Sequence, residues 1–108
     1  MYVRCAYFEG NVATADRERF ESLVRERIAP QMLKFPGIRS LRLLWGREQE
    51  TPGRSIYLVL EHGYDSLEDI QIAITSNVRA GMQSALDELV SHFDGRIYHV
   101  NYEAEMPP

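Results

Sequence analysis

The most restrictive feature of this sequence is the order in which its hydrophobic spacing changes. Four segments have the lengths of strands and either β-branched and aromatic residues or apolar residues in alternation: residues 2–9, 38–47, 54–64 and 96–103. After the first and third of these segments, apolar residues recur with the period of about 3.6 residues that marks an amphipathic helix. The sequence therefore predicts the order βαββαβ.

Turn-forming and capping residues support this division of the chain. Pro36-Gly37 ends the first helix, Glu48–Gly53 forms a polar turn between two strands, and Gly95 ends the last helix. Ser66 is a candidate N-cap for the second helical region, with an acidic residue three positions later. We expect an interruption of that region at Thr75-Ser76-Asn77.

The simplest packing of these elements is a four-stranded antiparallel sheet with both helices on one face. This is the α+β, ferredoxin-like βαββαβ sandwich. With 108 residues the chain forms a single domain, residues 1–108, with room for one two-layer core.

The second face of the sheet is the more informative one. Alternation assigns six side chains to the helix-facing side: Leu41, Leu43, Trp45, Ile56, Leu58 and Leu60. It assigns another apolar set to the opposite face: Phe8, Leu44, Tyr57, Val59, Tyr98, Val100 and Tyr102. An apolar sheet face of this size is normally covered. We therefore predict a homodimer through the sheet face.

Composition excludes several classes of function. The net charge is −4, and 11 of the 12 basic residues are arginine. The acidic balance argues against nucleic-acid binding, and no apolar segment suggests a signal peptide or a membrane span. Cys5 is the only cysteine, and the histidines lack metal-ligand spacing. We expect a cytoplasmic protein with no metal, no cofactor and no membrane partner.

The stretch Phe20–Ile38, FESLVRERIAPQMLKFPGI, carries a family resemblance. It resembles the first helix of EthD-like proteins of the dimeric α+β barrel superfamily, which has a spaced Phe, then H-x-P, then Pro-Gly and an aliphatic residue. Five residues match this pattern: Phe20, Pro30, Pro36, Gly37 and Ile38. A weaker match continues through Tyr64–Leu67, the aromatic-Asp-Ser start of the second helix.

The resemblance implies a dimeric barrel that binds a small organic molecule, aromatic or lactone-like. Members of the superfamily include cofactor-independent monooxygenases, isomerases and cyclases, so the resemblance leaves each of these activities open for this protein. One departure bears on activity, because Ile28 stands where the family pattern has histidine. The alternative is a non-catalytic accessory or stress-response barrel protein, and the sequence leaves open whether the protein is an enzyme.

Arg27 and Gln31 lie one turn apart on the first helix, within its apolar stripe when each residue advances by about 100°. A guanidinium and an amide in this position are suited to contact an anion or carbonyl of a substrate between helix and sheet. The structural alternative is that Arg27 covers apolar surface and pairs with Glu61 or Glu103.

The strands supply the remaining candidates. His62 and His99 are the candidates for proton transfer, because histidine titrates near neutral pH. Asn101 is a candidate polar contact beside His99, and Trp45 and Tyr7 are candidates for the substrate-facing wall. For the histidines and aromatic residues the alternative is an ordinary structural role in the sheet.

Overall fold

The protein, described by a computed structural model over residues 1–108, folds around one antiparallel sheet. Its four strands are β1 (Tyr2–Asn11), β2 (Ser40–Trp45), β3 (Ile56–Tyr64) and β4 (Asp94–Glu103). Their order in the sheet is β2-β3-β1-β4, which puts the first and third strands of the sequence in the centre. The predicted order βαββαβ and the ferredoxin-like class are confirmed.

The first helical region continues without a gap but changes its geometry. After a short 3-10 turn (Thr14–Asp16) come α1 (Arg17–Leu23), a π-helical turn (Val24–Ile28) and α2 (Ala29–Met32). In the π-helical turn the N–H of Ala29 donates to the carbonyl of Val24, five residues back. The helix ends at Met32, three residues earlier than the Pro36-Gly37 signal predicts.

The second helical region is broken twice. It consists of α3 (Leu67–Ile74), α4 (Asn77–Ala80) and α5 (Gln83–Ser91). The hydroxyl of Ser66 accepts a hydrogen bond from the N–H of Asp69 at 3.0 Å, as the capping signal predicts. Ser76 caps α4 in the same way through the N–H of Arg79. The predicted interruption after Ile74 is therefore present, and its hydroxyl cap explains it.

All of these helices pack on one face of the sheet over a core of 17 buried residues. Phe20 is fully buried at one end of this core and makes edge-on contacts with Phe8 and Tyr57. The register of β1 places Arg4, Ala6 and Phe8 on the helix-facing side, opposite His62, Leu60 and Leu58 of β3.

Three of the apolar residues that alternation assigned to a face of the sheet lie on the opposite face. Phe8 faces the core because β1 is apolar at both odd and even positions, so alternation alone did not determine its register. A β-bulge between Phe8 and Glu9 disturbs the alternation of β3. Tyr57 consequently packs on Phe20 under the helices, whereas Ile56 lies beside Leu44 and Val59 on the outer face.

The outer face of the sheet carries an apolar row that crosses all four strands. Leu44, Val59, Tyr7 and Tyr98 are successive partners in the strand pairing. The rings of Tyr7 and Tyr98 stack at 5.0 Å, and the hydroxyls of Tyr7 and Tyr102 are 2.5 Å apart. No helix covers this face.

None of the helices has both the length and the apolar composition that crossing a bilayer requires.

Candidate functional site

A cavity of about 400 Å³ lies between the sheet and the helices α2, α4 and α5. Its walls are mainly apolar, with side chains from every layer of the fold. The apolar lining consists of Ala6, Phe8, Ile28, Met32, Phe35, Leu60, Ile74, Met82, Leu86, Leu89, Val90 and Ile97. The polar lining consists of Arg4, His62, Arg79, Gln83, Asp87 and His99. The volume lies within the range of about 300–1,000 Å³ that is usual for small-molecule sites.

Two neighbouring rows of the sheet position the polar floor of the cavity. In one row Arg4 of β1 lies between His62 of β3 and Asn101 of β4. In the next row Ala6 lies beside His99. Because side chains at alternate positions share a face, the two histidines project toward the helices on either side of β1. The structure therefore brings His62 and His99 to the same cavity.

His62 is held by a buried hydrogen bond. Its Nδ1 lies 2.6 Å from the hydroxyl of Tyr64, two residues further along the same face of β3, and its side chain is almost completely buried. Burial, with smaller effects of Arg4 and His99, lowers the pKa of His62 to about 4. Burial also raises the pKa of Tyr64 to about 12. Both groups are therefore uncharged at pH 7, and the pair adds no net charge to the apolar floor.

His99 is the more accessible of the two histidines. It is exposed on β4, one row away from His62. Partial burial and the nearby charges of Arg4 and Arg79 lower its pKa. A neutral imidazole that a ligand can reach has one nitrogen free to accept a proton and another that donates a hydrogen bond.

Arg27 and Gln31 do not line the cavity. Both are exposed, and Arg27 pairs with Glu88 of α5 at 3.0 Å, whereas Glu61 pairs with Arg42. The π-helical turn explains the difference. Each of its residues advances by a smaller angle than in an α-helix, so the residues after it are rotated relative to an ideal helical wheel. Ile28 and Met32 consequently occupy the buried face.

Two other candidates also lie away from the cavity. Tyr7 is on the outer face of the sheet, stacked on Tyr98, because the register of β1 turns odd-numbered residues away from the helices. Trp45 ends the edge strand β2, where it contacts Tyr57 and the guanidinium of Arg25. Neither residue forms part of the wall that we predicted from the sequence.

Asn101 is connected to the cavity through one of its lining residues. Its side-chain oxygen accepts a hydrogen bond from Nη1 of Arg4 at 3.1 Å. Asn101 itself is exposed and is absent from the cavity wall. In this arrangement it orients the Arg4 guanidinium at the floor.

Sequence reasoning missed Arg4 and Arg79, the two arginines of the lining. Arg4 is two and four residues from Ala6 and Phe8, so the correct register of β1 would have placed it on the cavity side. Arg79 is on the four-residue α4. The breaks on both sides of α4 prevent a continuous helical wheel from assigning its direction.

The buried position of Ile28 relates the sequence resemblance to the cavity. Ile28 is fully buried and lines the cavity from the end of the π-helical turn. The place at which the EthD-like pattern has histidine is therefore a cavity position. In this chain that position supplies an apolar contact, and the histidines of the cavity come from the sheet.

Comparison of the sequence with protein-family models finds no match, and comparison with curated proteins finds none either. Solved structures do match. An ethyl tert-butyl ether D (EthD) family protein from Bacillus halodurans is 19% identical, with a TM-score of 0.79; the match covers 97% of this chain and 99% of that one.

Two further structures have the same layout. The cofactor-independent oxygenase SnoaB from Streptomyces nogalater is 19% identical, with a TM-score of 0.67 over 98% of this chain and 94% of its own. A dimeric protein with a ferredoxin-like fold from Bacteroides fragilis is 18% identical, with a TM-score of 0.68 over 95% of both chains. At these identities the comparisons show the fold. The resemblance to EthD-like dimeric α+β barrel proteins is thus confirmed at the level of the fold.

Proposed function

We propose that this protein binds a small organic molecule, aromatic or lactone-like, in the cavity between its helices and its sheet. One observation carries the proposal: a cavity of about 400 Å³ combines twelve apolar lining residues with the neutral side chains of His62 and His99. Apolar walls with a few convergent polar groups are typical of small-molecule sites. The flat apolar core of an aromatic or lactone-like ring suits such walls.

The chemistry that this cavity supports best is proton transfer without a cofactor. His99 accepts a proton from an acidic C–H or O–H of the ligand, since its neutral imidazole is accessible. His62, fixed by Tyr64, offers a hydrogen bond to a carbonyl or developing oxyanion from the opposite side of β1. Isomerisation, cyclisation and oxygenation of an activated ring each begin with such a proton removal.

The first test uses coumarin, a neutral aromatic lactone small enough for the cavity. We expect coumarin to shift the amide NMR signals of β1, β4 and α5, which surround the cavity, and not those of the β2-β3 turn. His99→Gln is expected to weaken this binding because it removes the imidazole ring from the cavity wall, whereas His92→Gln, outside the cavity, is the matched control. Shifts scattered over the surface, or none at millimolar coumarin, would contradict the proposal.

The second test asks whether the cavity is catalytic. Anthrone has an acidic C–H group; after its proton is removed, the carbanion reacts with dioxygen to give anthraquinone and water. We expect the protein to accelerate this oxidation at pH 7, and we expect His99→Gln to remove most of the acceleration, about 10²-fold or more, which is typical of a lost general base. Dioxygen uptake and the absorbance of anthraquinone both measure the rate.

The alternative function, a non-catalytic accessory or stress-response barrel, has one observation in its favour. Ile28 gives an apolar cavity contact where the EthD-like pattern has histidine. Binding of coumarin with no acceleration of anthrone oxidation above the rate in buffer would favour this alternative.

We also propose that the protein forms a homodimer through the outer face of the sheet. The apolar row Leu44, Val59, Tyr7 and Tyr98 crosses the sheet, and Leu44 is 37% exposed in the single chain. A symmetric pair of sheets would cover both copies of this row. The Bacteroides fragilis protein of the same fold, which is described as dimeric, is consistent with this assembly.

A further inference from the structure

We propose that Arg4 and Arg79 form an anion subsite in the cavity, so that the natural ligand is an organic anion: an apolar ring that bears a carboxylate. This inference rests on the proposed function, because it assigns the chemical class of the molecule that the same cavity binds. It adds a charge requirement that the apolar walls and the histidines do not imply.

The first support is that both guanidiniums lack an acidic partner. Seven of the 11 arginines form ion pairs with carboxylates. Arg4 and Arg79 have no carboxylate within 4.0 Å; they donate instead to the neutral side-chain oxygens of Asn101 at 3.1 Å and Gln83 at 3.3 Å. Both arginines are half-buried, where a charge without a counterion is unfavourable.

The second support is that the two charges act on the same part of the cavity. Burial lowers the pKa of Arg4, Tyr64 opposes this effect, and the positive charge of Arg79 adds a smaller lowering. Burial, Arg4 and Arg79 together lower the pKa of His99. The polar lining thus has one positive charge on β1 and one on α4 beside two neutral imidazoles, and neither guanidinium is in contact with a carboxylate.

One carboxylate, Asp87, belongs to the lining, and it does not supply the missing charge at the arginines. Asp87 is exposed on α5 and accepts a hydrogen bond from the amide of Gln83 at 2.8 Å. Gln83 therefore separates Asp87 from Arg79 in a chain of hydrogen bonds. The positive field of Arg4 and Arg79 remains available to a ligand.

The chemistry of the guanidinium group selects the ligand class. Arginine stays charged at all relevant pH values, and its planar donor groups match the two oxygens of a carboxylate. The apolar residues above the floor, among them Ile28, Met82 and Leu86, leave space for a ring attached to that carboxylate. A ligand whose carboxylate binds the two arginines would place its ring atoms near His99, the proposed proton acceptor.

The test compares two probes that differ in charge and hardly in shape, coumarin-3-carboxylate and coumarin-3-carboxamide, by NMR titration or calorimetry at low salt. The wild-type protein is expected to bind the carboxylate about ten- to a hundredfold more tightly, the value of a charged hydrogen-bonded contact. Arg4→Met and Arg79→Met should each lose most of this preference and still bind the amide. Arg54→Met removes an exposed arginine in the β2-β3 turn that has no ion pair, and it should keep the preference.

Three results would overturn the inference. Equal affinity of the wild type for both probes would show that the cavity binds rings without selecting an anion, and the proposed function would stand. An unchanged carboxylate preference in both Arg4→Met and Arg79→Met would place the anion contact elsewhere. Binding of neither probe would contradict the proposed function and this inference together. The two single variants are independent, so a folding defect in one, seen by circular dichroism, leaves the other decisive.

Discussion

Acidification from pH 7 to pH 4 should lower the free energy of unfolding by about 3 kcal/mol through His62 alone. The pKa of this histidine is about 4 in the folded protein, against the ordinary value of 6.5 that applies when the chain is unfolded. Between these two pH values the unfolded chain binds a proton that the folded protein does not bind. Stability is therefore fully present above pH 6.5 and falls as the pH decreases toward 4.

Urea unfolding at several pH values between 4 and 7.5, at fixed protein concentration, measures this effect. Acidic groups with a lowered pKa, such as Glu21, add a loss of stability in acid. The comparison that isolates His62 is therefore with His62→Asn, whose amide can still pair with the Tyr64 hydroxyl. We expect a flatter profile from pH 6.5 to 4 for this variant than for the wild type. A His62→Asn profile parallel to that of the wild type would show that His62 is not the group responsible.

The order of the elements was predictable because the period of the hydrophobic residues and the turn residues agree along this chain. Ser66 and the Thr75–Asn77 break are examples, since each is a hydroxyl cap that the sequence shows directly. Alternation also predicted which face of the sheet carries the two histidines, because β3 and β4 each have one clearly apolar face. Their meeting in one cavity depends on β1 lying between them, which the fold class already implies.

The remaining site residues depend on features that local patterns do not encode. Both faces of β1 are apolar, so its register, and with it the direction of Arg4 and Tyr7, is fixed only by pairing with β3 and β4. The π-helical turn, which precedes Pro30 by two residues, moves Arg27 and Gln31 to the surface. The tertiary packing of the helix on the sheet thus decided which of its polar residues reach the cavity.

The largest expected effect of a single substitution on the assembly is that of Val59→Asp. Val59 lies between Leu44 and Tyr7 in the apolar row of the outer sheet face. In a symmetric dimer one substitution introduces two carboxylates into the covered face, and each loses its hydration without gaining a positive partner. We expect the dissociation constant of the dimer to rise by about 100-fold or more, so that the variant is monomeric at micromolar concentration.

Light scattering and sedimentation velocity distinguish this outcome from a general loss of solubility. Ile72→Asp is the matched control: Ile72 is 48% exposed on α3, on the helical side of the molecule, so this variant should remain dimeric. Leu44→Asp changes the same apolar row on the edge strand β2, and a folded monomer in this variant would support the interface even if Val59→Asp unfolds. A monomeric wild type at micromolar concentration, or a stable dimer of both sheet variants, would contradict the sheet-face dimer. The cavity lies on the other side of the sheet, and none of its lining residues belongs to the outer face. Folded monomeric sheet variants should therefore still bind coumarin.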